Sequence, residues 1–574
     1  MAILSVGAET ISLDGGRKAR SNLTKARIRW VVVALALVFG VVGARLIQLG
    51  ATVTDSNIEG VARDVITASR PPILDRNGLE MAVDIRVPSL FAEPRRIIDV
   101  EEAVQKLRTV LPDLDEDWLR KRLTGDKGFV WIKRELTPAI RERVFQLGIP
   151  GLDFVTESKR FYPSGSQASH VLGAVNIDNQ GTMGIEKHMD DDSLALLQSV
   201  GLARGNDLAP VSLSIDLRVQ HAMYEQLTDA LTRYKAIAAA GVMMDVRTGE
   251  IVGLVSLPDF DPNNPSTLFQ DYNGVRNDRF NRITSGIYEL GSTFKTITLA
   301  GAIDSGKVRI TDQFDARFGV RFGRFTIDDF HGKHRILSVP EIYKYSSNIG
   351  TIHIMQAMGK DDFRAFLTKI GMDQPVPFEL PEMRKPKVQA RFSEIVAATA
   401  SFGHGLSVSP LHMVRAIGAF VNDGYMVTPT MYKRTEEEAR QFYQPVVSPQ
   451  TSREIRYLMR LNALEGSGSR MNKIANGYRI GGKTGTAEKV VGRVYSADKK
   501  LSVFASAFPL DNPRYALVVL IDEPQPENAQ SGSTAGWNAG EVTGRIVQRV
   551  APMLGIAPDF SQMLDSELVP PQLR

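Results

Sequence analysis

The sequence predicts an α+β protein with a single N-terminal transmembrane helix followed by two folded domains. Its 574 residues, 43% of them apolar, are enough for more than one hydrophobic core. An apolar run, Trp30–Gly50, follows a basic N-terminus. Two predicted hairpins, Gly241–Ser256 and Ser502–Asp522, flank a long helical stretch. This order favours one antiparallel sheet that is closed by sequence-distant strands and covered by helices.

The net charge of the chain is concentrated in its N-terminal tail, residues 1–29. The tail holds six Lys/Arg against Glu9 and Asp14, which accounts for the whole formal net charge of +4. The remaining chain is neutral. A nucleic-acid partner is therefore not expected, because a nucleic-acid-binding domain carries its excess positive charge on a folded surface.

The apolar run Trp30–Gly50 is long enough to cross a bilayer, which takes about 20 residues, provided that Arg45 snorkels outward. The basic flank would stay in the cytoplasm. A cleaved signal peptide and a buried helix of a soluble protein are the alternatives, but 29 residues make a long leader for a signal peptide. We expect an uncleaved single-pass anchor in the inner membrane, with the following domains on the periplasmic side.

Residues 51–210 contain no catalytic constellation and are predicted to form an interaction or spacer domain. The stretch Glu101–Leu123 reads as two amphipathic helices that are broken near Pro112. The chain has no cysteine, which excludes disulfides, thiolate catalysis and thiolate metal sites.

The stretch GYRIGGKTGTA, Gly477–Ala487, matches the phosphate-loop pattern G-x-x-x-x-G-K-[ST]. A phosphate loop needs a buried strand before its first glycine and a helix after its lysine. Here the preceding residues are polar, and Gly485 and Gly492 disfavour a helix. We therefore interpret the stretch as a β-strand whose glycines allow another segment to approach its backbone closely. A bound nucleotide is not expected.

Three short motifs give residues such as Lys483 another explanation. Ser292 and Lys295 form Ser-x-x-Lys at the start of an apolar helix, and Ser346-Ser347-Asn348 follows. Lys483-Thr484-Gly485 comes third. A second Ser-x-x-Lys, Ser496–Lys499, lies in a polar run and is interpreted as chance. In this order the three motifs are a signature of serine acyltransferases that act on penicillins and on peptidoglycan stems.

A serine hydroxyl becomes a good nucleophile only with a base in hydrogen-bond reach. Lys295 can serve Ser292 as that base if it is neutral, which from a pKa of about 10.4 costs about 4 kcal/mol. A second ammonium about 5 Å away contributes about 3 kcal/mol at an effective dielectric near 20. Lys483 is predicted to supply most of the shift, and burial and the helix N-terminus act in the same direction.

The remaining motif residues are assigned to substrate. Ser346 would relay a proton to the leaving amine, and Asn348 would hold Lys295 and the substrate amide. The backbone N–H groups of Ser292 and Thr486 would form the oxyanion hole. The substrate carboxylate would be bound by charge-assisted hydrogen bonds from Lys483, Thr484 and Thr486. No metal site is expected, because the histidines are scattered and His331 and His334 lack a ligand spacing.

Further blocks of sequence carry a family resemblance. YELGSTFKT (Tyr288–Thr296), SSN and KTGTA, together with RPPILDRNG (Arg70–Gly78) and GHGLSVSPLHM (Gly403–Met413), resemble the class B penicillin-binding proteins. Within that family the chain is most similar to the division-specific D,D-transpeptidases. A departure is Leu290, where the family usually has proline.

The resemblance implies a fold and a domain organisation. The expected parts are a cytoplasmic tail (1–29), a transmembrane helix (30–50) and an elongated pedestal domain (51–210), followed by a penicillin-binding transpeptidase domain (211–560) and a C-terminal tail (561–574). The transpeptidase domain is expected to have an antiparallel five-stranded sheet between helices.

The resemblance also implies a reaction, partners and site residues. Acyl transfer from a D-alanyl-D-alanine stem of peptidoglycan to Ser292 would release D-alanine, and β-lactams would be covalent inhibitors. No cofactor is implied. The partners would be a membrane-embedded glycan polymerase and other division proteins. The implied catalytic residues are Ser292, Lys295, Ser346 and Asn348, and the implied substrate-binding residues are Lys483, Thr484, Gly485 and Thr486.

Three alternatives remain open at this point. An elongation-type class B transpeptidase would use the same chemistry elsewhere in the wall. A β-lactamase would need a positioned water to hydrolyse the acyl-enzyme, and a membrane-anchored β-lactam sensor would form the adduct without transfer. Turnover of a D-alanyl-D-alanine substrate distinguishes the last two from a transpeptidase.

Overall fold

The structure, a computed structural model, describes residues 30, 33–45, 70–191, 209–264, 278–491, 494–561 and 563–574. The predicted tail, residues 1–29, lies outside these residues. Residues 33–45 of the predicted anchor are helical. Among the described residues, no helix combines the length and the apolar character needed to cross a membrane.

The described residues fall into two compact units. Residues 88–155 belong to the first, and residues 70–87 and those from 156 onward belong to the second. The candidate site described below lies wholly in the second unit.

The strands of the described chain include two long hairpin pairs, and many of the others are short. In chain order they are β1 (Ile73–Leu74), β2 (Glu80–Ala92), β3 (Val130–Lys133), β4 (Leu152–Phe161), β5 (Ala174–Val175), β6 (Gly181–Met183), β7 (Val211–Ser212), β8 (Ala238–Asp245), β9 (Ile251–Leu257), β10 (Gln313–Asp315), β11 (Val320–Phe322), β12 (Phe325–Ile327), β13 (Ile336–Ser338), β14 (Tyr425–Met426), β15 (Gln444–Pro445), β16 (Gly481–Val491), β17 (Val494–Phe508) and β18 (Tyr515–Asp522).

The α-helices lie mostly between β9 and β16 in the sequence. In chain order they are α1 (Val100–Val110), α2 (Glu116–Leu123), α3 (Pro138–Phe145), α4 (Ser169–Leu172), α5 (Gly184–Asp191), α6 (Leu217–Arg233), α7 (Phe294–Asp304), α8 (Val339–Tyr345), α9 (Asn348–Met358), α10 (Lys360–Lys369), α11 (Glu394–Ser401), α12 (Pro410–Val421), α13 (Glu436–Ala439), α14 (Pro449–Glu465), α15 (Ser469–Ile474), α16 (Ala539–Met553) and α17 (Met563–Glu567).

The first unit contains the two helices predicted on either side of Pro112. Asp99 and Asp115 cap α1 and α2 by accepting hydrogen bonds from backbone N–H groups of the first turn. Leu107 of α1 and Leu119 of α2 are fully buried in a core that also contains residues of β3 and α3. The prediction of two amphipathic helices is therefore confirmed.

The second unit is built on the predicted antiparallel sheet. Its strand order is β16-β17-β18-β8-β9, and each neighbouring pair is antiparallel. The two predicted hairpins are β8–β9 and β17–β18. The sheet is closed by pairing of β8 with β18, in which Ala238 lies opposite Asp522. Strands separated by more than 250 residues of sequence thus form one sheet, as the sequence indicated.

Alternate residues of the central strands enter two different cores. Met243, Leu517 and Val519 face the helices α6 and α16. Val242 and Val518, which lie next to them in the sequence, face a larger core that contains α7, α12 and α14. Because successive side chains of a strand point to opposite faces, helices cover both faces of the central strands β8 and β18. This α+β layer arrangement is the predicted one.

Candidate active site

Ser292 lies in a single 3-10 turn, Gly291–Thr293, that leads directly into α7. Gly291 has φ +54°, a left-handed conformation that glycine adopts without strain. Leu290 is fully buried, and its carbonyl oxygen accepts a hydrogen bond of 2.8 Å from Thr293 Oγ1. Burial and this hydrogen bond therefore hold the residue before the turn in place, although it is leucine where the family usually has proline.

Lys295 occupies the first turn of α7 and is completely buried. Its Nζ donates hydrogen bonds to the backbone oxygen of Ser346, to Ser346 Oγ at 3.2 Å and to Asn348 Oδ1 at 2.8 Å. Ser346 follows α8 with φ +57°, and Asn348 begins α9. A non-glycine residue in this conformation is strained, as is common where a side chain must be aimed at a functional site.

Lys483 reaches the same place from the edge strand β16. Its Nζ donates to Ser346 Oγ at 3.0 Å and to the Thr484 oxygen at 3.3 Å. The ring of Tyr343 lies 5.9 Å from the amine, and the side chain of Lys483 is completely buried. Two lysines from distant parts of the chain therefore meet at one serine hydroxyl.

Burial is the main reason why both amines lose basicity. It lowers the pKa of Lys483 to about 7. The pKa of Lys295 lies well below its ordinary value, first because of burial and second because of repulsion from Lys483, while Asp329 opposes the shift. The prediction that Lys483 supplies most of the shift is therefore wrong. The apolar pattern of α7 does not indicate how completely the folded protein excludes water from Lys295.

The glycine of the Lys-Thr-Gly motif lets β16 lie directly against the serine turn. A Cβ atom at Gly485 would come within 2.2 Å of the Leu290 carbonyl oxygen. On the other side of the turn, a Cβ atom at Gly403 would come within 2.1 Å of the Gly291 oxygen. The backbone of the turn is thus packed between two segments that approach as closely as glycine permits.

The two threonines of the motif make different contacts from Lys483. Thr484 is almost completely buried, and its hydroxyl shares a hydrogen bond of 2.6 Å with Ser467. Thr486 is half-buried, and its hydroxyl accepts a hydrogen bond of 3.1 Å from the backbone of Ala535. Ser467 in turn donates to Asn462 Oδ1 at 3.2 Å. Because Thr486 Oγ1 is the acceptor in its bond with Ala535, the hydroxyl hydrogen of Thr486 can be donated to a ligand.

Asp329 is a residue of the site that sequence reasoning missed. Its carboxylate accepts hydrogen bonds from Ser347 Oγ at 2.7 Å and from the backbone of Ile349 at 3.0 Å, as well as from the Asn348 backbone. It therefore caps the N-terminus of α9 and fixes the Ser-Ser-Asn motif. Asp329 lies in a polar loop, 18 residues before Ser347, and no local pattern marks it.

A second missed group surrounds His404, which follows Gly403. Glu289 accepts hydrogen bonds from the Gly405 backbone at 2.9 Å and from the Tyr495 hydroxyl at 3.1 Å. The His404 ring lies 5.2 Å from the Phe402 ring and 6.2 Å from the Tyr495 ring. Burial lowers the pKa of His404, an effect that Glu289 opposes and Lys295 reinforces.

The structure thus brings Lys295, Ser346, Asn348 and Lys483 into one hydrogen-bonded group beside the Ser292 turn. Among the described residues, the Lys295 amine donates to Ser346 and Asn348, and no hydrogen bond joins it to Ser292. Gly481–Val491 form a strand, which confirms that the phosphate-loop match does not open a helix. In the part of the chain that is described, no cluster of three or more His, Asp or Glu could hold a metal ion.

A Ser-x-x-Lys turn held against a Lys-Thr-Gly edge strand, on a five-stranded sheet between helices, defines a penicillin-binding transpeptidase domain. Residues 239–546 match the family described as the penicillin binding protein transpeptidase domain. Residues 65–193 match the penicillin-binding protein dimerisation domain.

Curated relatives cover most of the chain. It is 34% identical over 499 residues to the probable peptidoglycan D,D-transpeptidase FtsI of Caulobacter vibrioides, covering 86% of this chain and 82% of that protein. It is 31% identical to the probable peptidoglycan D,D-transpeptidase PenA of Neisseria gonorrhoeae, covering 93% and 94%. It is 28% identical to the peptidoglycan D,D-transpeptidase FtsI of Escherichia coli K12, covering 92% and 91%. The chain belongs to the class B penicillin-binding proteins.

Proposed function

We propose that the chain cross-links peptidoglycan at the division septum by D,D-transpeptidation, through a serine acyl-enzyme formed on D-alanyl-D-alanine stem peptides, and that β-lactams inhibit it covalently. The observation that supports this proposal is the convergence of two buried lysine amines on Ser346 Oγ beside the Ser292 turn. The names of the FtsI relatives favour division over elongation.

The acylation step uses the neutral form of Lys295. The hydroxyl of Ser292 attacks the carbonyl carbon of the penultimate D-alanine, and Lys295 takes the hydroxyl proton. Backbone N–H groups of Ser292 and Thr486 stabilise the oxyanion, each worth about 3 kcal/mol when removed. The close packing of Gly485 against Leu290, which holds β16 directly against the turn, supports this pairing of donors.

Release of D-alanine requires a proton on the leaving amine. Ser346 Oγ accepts hydrogen bonds from both lysines, so its own hydroxyl hydrogen can be passed to the leaving nitrogen and replaced from Lys295. The amine of a neighbouring stem then attacks the ester and restores the Ser292 hydroxyl. Asn348, held by Lys295 and by the Asp329-capped helix, positions the amide of the bound stem.

The substrate carboxylate is assigned to Lys483, Thr484 and Thr486. Lys483 provides the charge and Thr486 a free hydroxyl hydrogen. Thr484 already bonds to Ser467, and its main contribution is to fix the strand. Gly485 allows the strand to approach. These assignments need no cofactor.

The same proposal extends to organisation and location. We assign residues 51–210 to a non-catalytic domain and residues 211–560 to the catalytic domain, with a C-terminal tail at 561–574. We propose a single-pass anchor at 30–50 with a cytoplasmic tail at 1–29, which places catalysis in the periplasm. The partners would be a membrane-embedded glycan polymerase and other division proteins, since neither matched domain is a polymerase by its description.

Intact-mass labelling with a penicillin tests the nucleophile. The parent protein should gain the mass of one opened β-lactam, Ser292→Ala should gain none, and Lys295→Ala should be labelled about 100- to 10,000-fold more slowly, the usual range for loss of a general base. Labelling of Ser292→Ala at the parental rate would refute the assignment. D-alanine release from a D-alanyl-D-alanine stem with transfer to an added amine then separates a transpeptidase from a sensor or a lactamase.

A further inference from the structure

A strongly basic segment lies beside the catalytic turn. The sequence RKPKVQAR, residues 384–391, contains four cations and no acidic residue. All four side chains are exposed, and we call them the basic rim: Arg384, Lys385, Lys387 and Arg391. Among the described residues, none of the four takes part in an ion pair.

Three carboxylates near the basic rim already make contacts with groups outside it. Glu379 accepts hydrogen bonds from Thr430 Oγ1 at 2.6 Å and from the Met431 backbone at 3.0 Å. Glu382 accepts from the Gly184 backbone at 2.7 Å. Glu394 pairs with Lys360 at 3.0 Å. Among the described residues, these acids are therefore engaged elsewhere and none is paired directly with a cation of the basic rim, in a chain that is neutral beyond its N-terminal tail.

Backbone pairing connects the basic rim to the site. Lys387 and Ser407 exchange two hydrogen bonds of 2.9 Å, and Val408 and Tyr288 exchange bonds of 2.9 and 3.0 Å. Tyr288 lies four residues before Ser292. Neighbouring extended segments are about 4.8 Å apart, so the rim is only two segments away from the chain that carries the nucleophile. The carboxylate-binding strand β16 contacts the same turn through Gly485.

A groove of about 220 Å³ runs along the rim segment. One wall is α10, with Arg364 and Thr368, and the other is the rim segment, with Lys385 and Gln389. Arg364 lies over the Phe392 ring at 5.6 Å and donates to the Ala390 oxygen at 3.3 Å, which fixes its position. Two cations from different elements therefore face one depression, a suitable arrangement for carboxylates.

The groove also contains one acid, Asp373. Its Oδ2 accepts a hydrogen bond of 2.7 Å from Thr368, while its Oδ1 is buried without a hydrogen-bond partner among the described residues. An unpaired buried carboxylate oxygen is costly, and a peptide N–H that enters the groove would relieve that cost.

We propose that the basic rim and this groove bind the carboxylate-bearing part of the stem peptide, away from its D-alanyl-D-alanine terminus, and so select acidic stems over amidated ones. This inference rests on the proposed function for the identity of the peptide. Its recognition chemistry is that of an acidic peptide: cations for the carboxylates, and Asp373 for a backbone N–H.

Two matched peptides test the inference directly. Both end in D-alanyl-D-alanine; one carries two internal carboxylates, and the other carries the same groups as amides. The variant is K385Q/K387Q/R391Q. The control is K433Q/R440Q/R453Q, which removes three exposed cations of the same unit that also take part in no ion pair among the described residues. Rates of D-alanine release give kcat/KM for each peptide.

The parent and the control should prefer the acidic peptide about tenfold, the effect of a few exposed charge pairs acting together. The rim variant should lose that preference through KM, with kcat and the rate of penicillin labelling unchanged. The preference should also weaken as salt rises, because exposed charges are screened over about 8 Å at 0.15 M ionic strength. Equal preference in the rim variant and the control would overturn the inference.

A binding measurement separates this inference from the catalytic proposal. Ser292→Ala protein, with and without the rim substitutions, is titrated with the fluorescently labelled acidic and amidated peptides, and anisotropy is recorded. Weaker binding of only the acidic peptide to the rim variant supports the inference, whether or not the parent protein turns over either peptide. Identical binding of both peptides to both proteins overturns it, and absence of penicillin labelling in the parent would instead refute the proposed function.

Discussion

Lys295 and Lys483 donate hydrogen bonds to the same oxygen, Ser346 Oγ, at 3.2 and 3.0 Å. Both amines are fully buried, so protonating both at once is unfavourable, and the pKa of each is lowered. One hydroxyl thus connects the proposed base to the proposed carboxylate-binding cation. Proton movement at one end of this pair affects the charge at the other.

The pH dependence of acylation follows from the lowered pKa values of Lys295 and Lys483. Acylation needs neutral Lys295, so its rate should rise with pH through the lowered pKa of that residue. Carboxylate binding needs charged Lys483, whose pKa is about 7, so kcat/KM should fall above about that pH. Labelling rates with a penicillin and with its methyl ester check this. The fall should be present for the acid and absent for the ester, and an identical fall for both would contradict the role of Lys483.

Lys483→Met should change how stability depends on pH. The unfolded lysine has its ordinary pKa of 10.5, and the folded one has a pKa of about 7. Between these values the unfolded chain binds more protons, so the stability of the parent should rise as pH increases from about 7 to 10.5. The methionine variant should lose the part of this rise that Lys483 contributes and keep the part that comes from buried Lys295. Melting temperatures from pH 6.5 to 10 test it, and parallel curves for the two proteins would contradict burial of a titrating amine.

Asp329→Asn should weaken the site without removing any proposed catalytic group. Its carboxylate holds Ser347 and the start of α9, and we expect a loss of about 1–2 kcal/mol in stability together with slower acylation. Asp329 raises the pKa of Lys295. In the variant, the rise of the acylation rate with pH, which we call the acid limb of the pH profile, should therefore occur at lower pH. The control is Asp315→Asn, an exposed partner of Arg317, which should cost at most about 1 kcal/mol. An unchanged acid limb in Asp329→Asn would contradict the electrostatic argument.

Gly485→Ala should separate the edge strand from the serine turn. The added Cβ atom would lie 2.2 Å from the Leu290 oxygen, so one of the two backbones must move. We expect penicillin labelling to slow by about 100-fold or more, since small displacements of positioning groups have effects of that size. Gly128→Ala is the control, because its Cβ atom would meet only the Arg95 side chain at 3.6 Å. Parental labelling by Gly485→Ala would show that the close approach is not needed.

Much of the fold could be predicted because it depends on local pattern. The hairpin β8–β9 follows from two apolar runs around an Arg-Thr-Gly-Glu turn, and α1 and α2 follow from apolar spacing interrupted by Pro112. The Ser-x-x-Lys helix could be separated from the Ser496–Lys499 match because apolar residues follow Ser292 and polar residues surround Ser496. These features depend on residues that are close together in the chain, so they can be recognised from the sequence directly.

The sequence by itself determined the motifs, their order and the kind of chemistry that a serine and two lysines can perform. Only the tertiary structure decided that both amines meet at Ser346, that burial outweighs repulsion in lowering the pKa of Lys295, and that Asp329 fixes the Ser-Ser-Asn motif. The reason is physical: desolvation and capping depend on which distant segments exclude water from a group or offer it a hydrogen bond. Those segments come together only when β8 pairs with β18 and the helices close over the sheet.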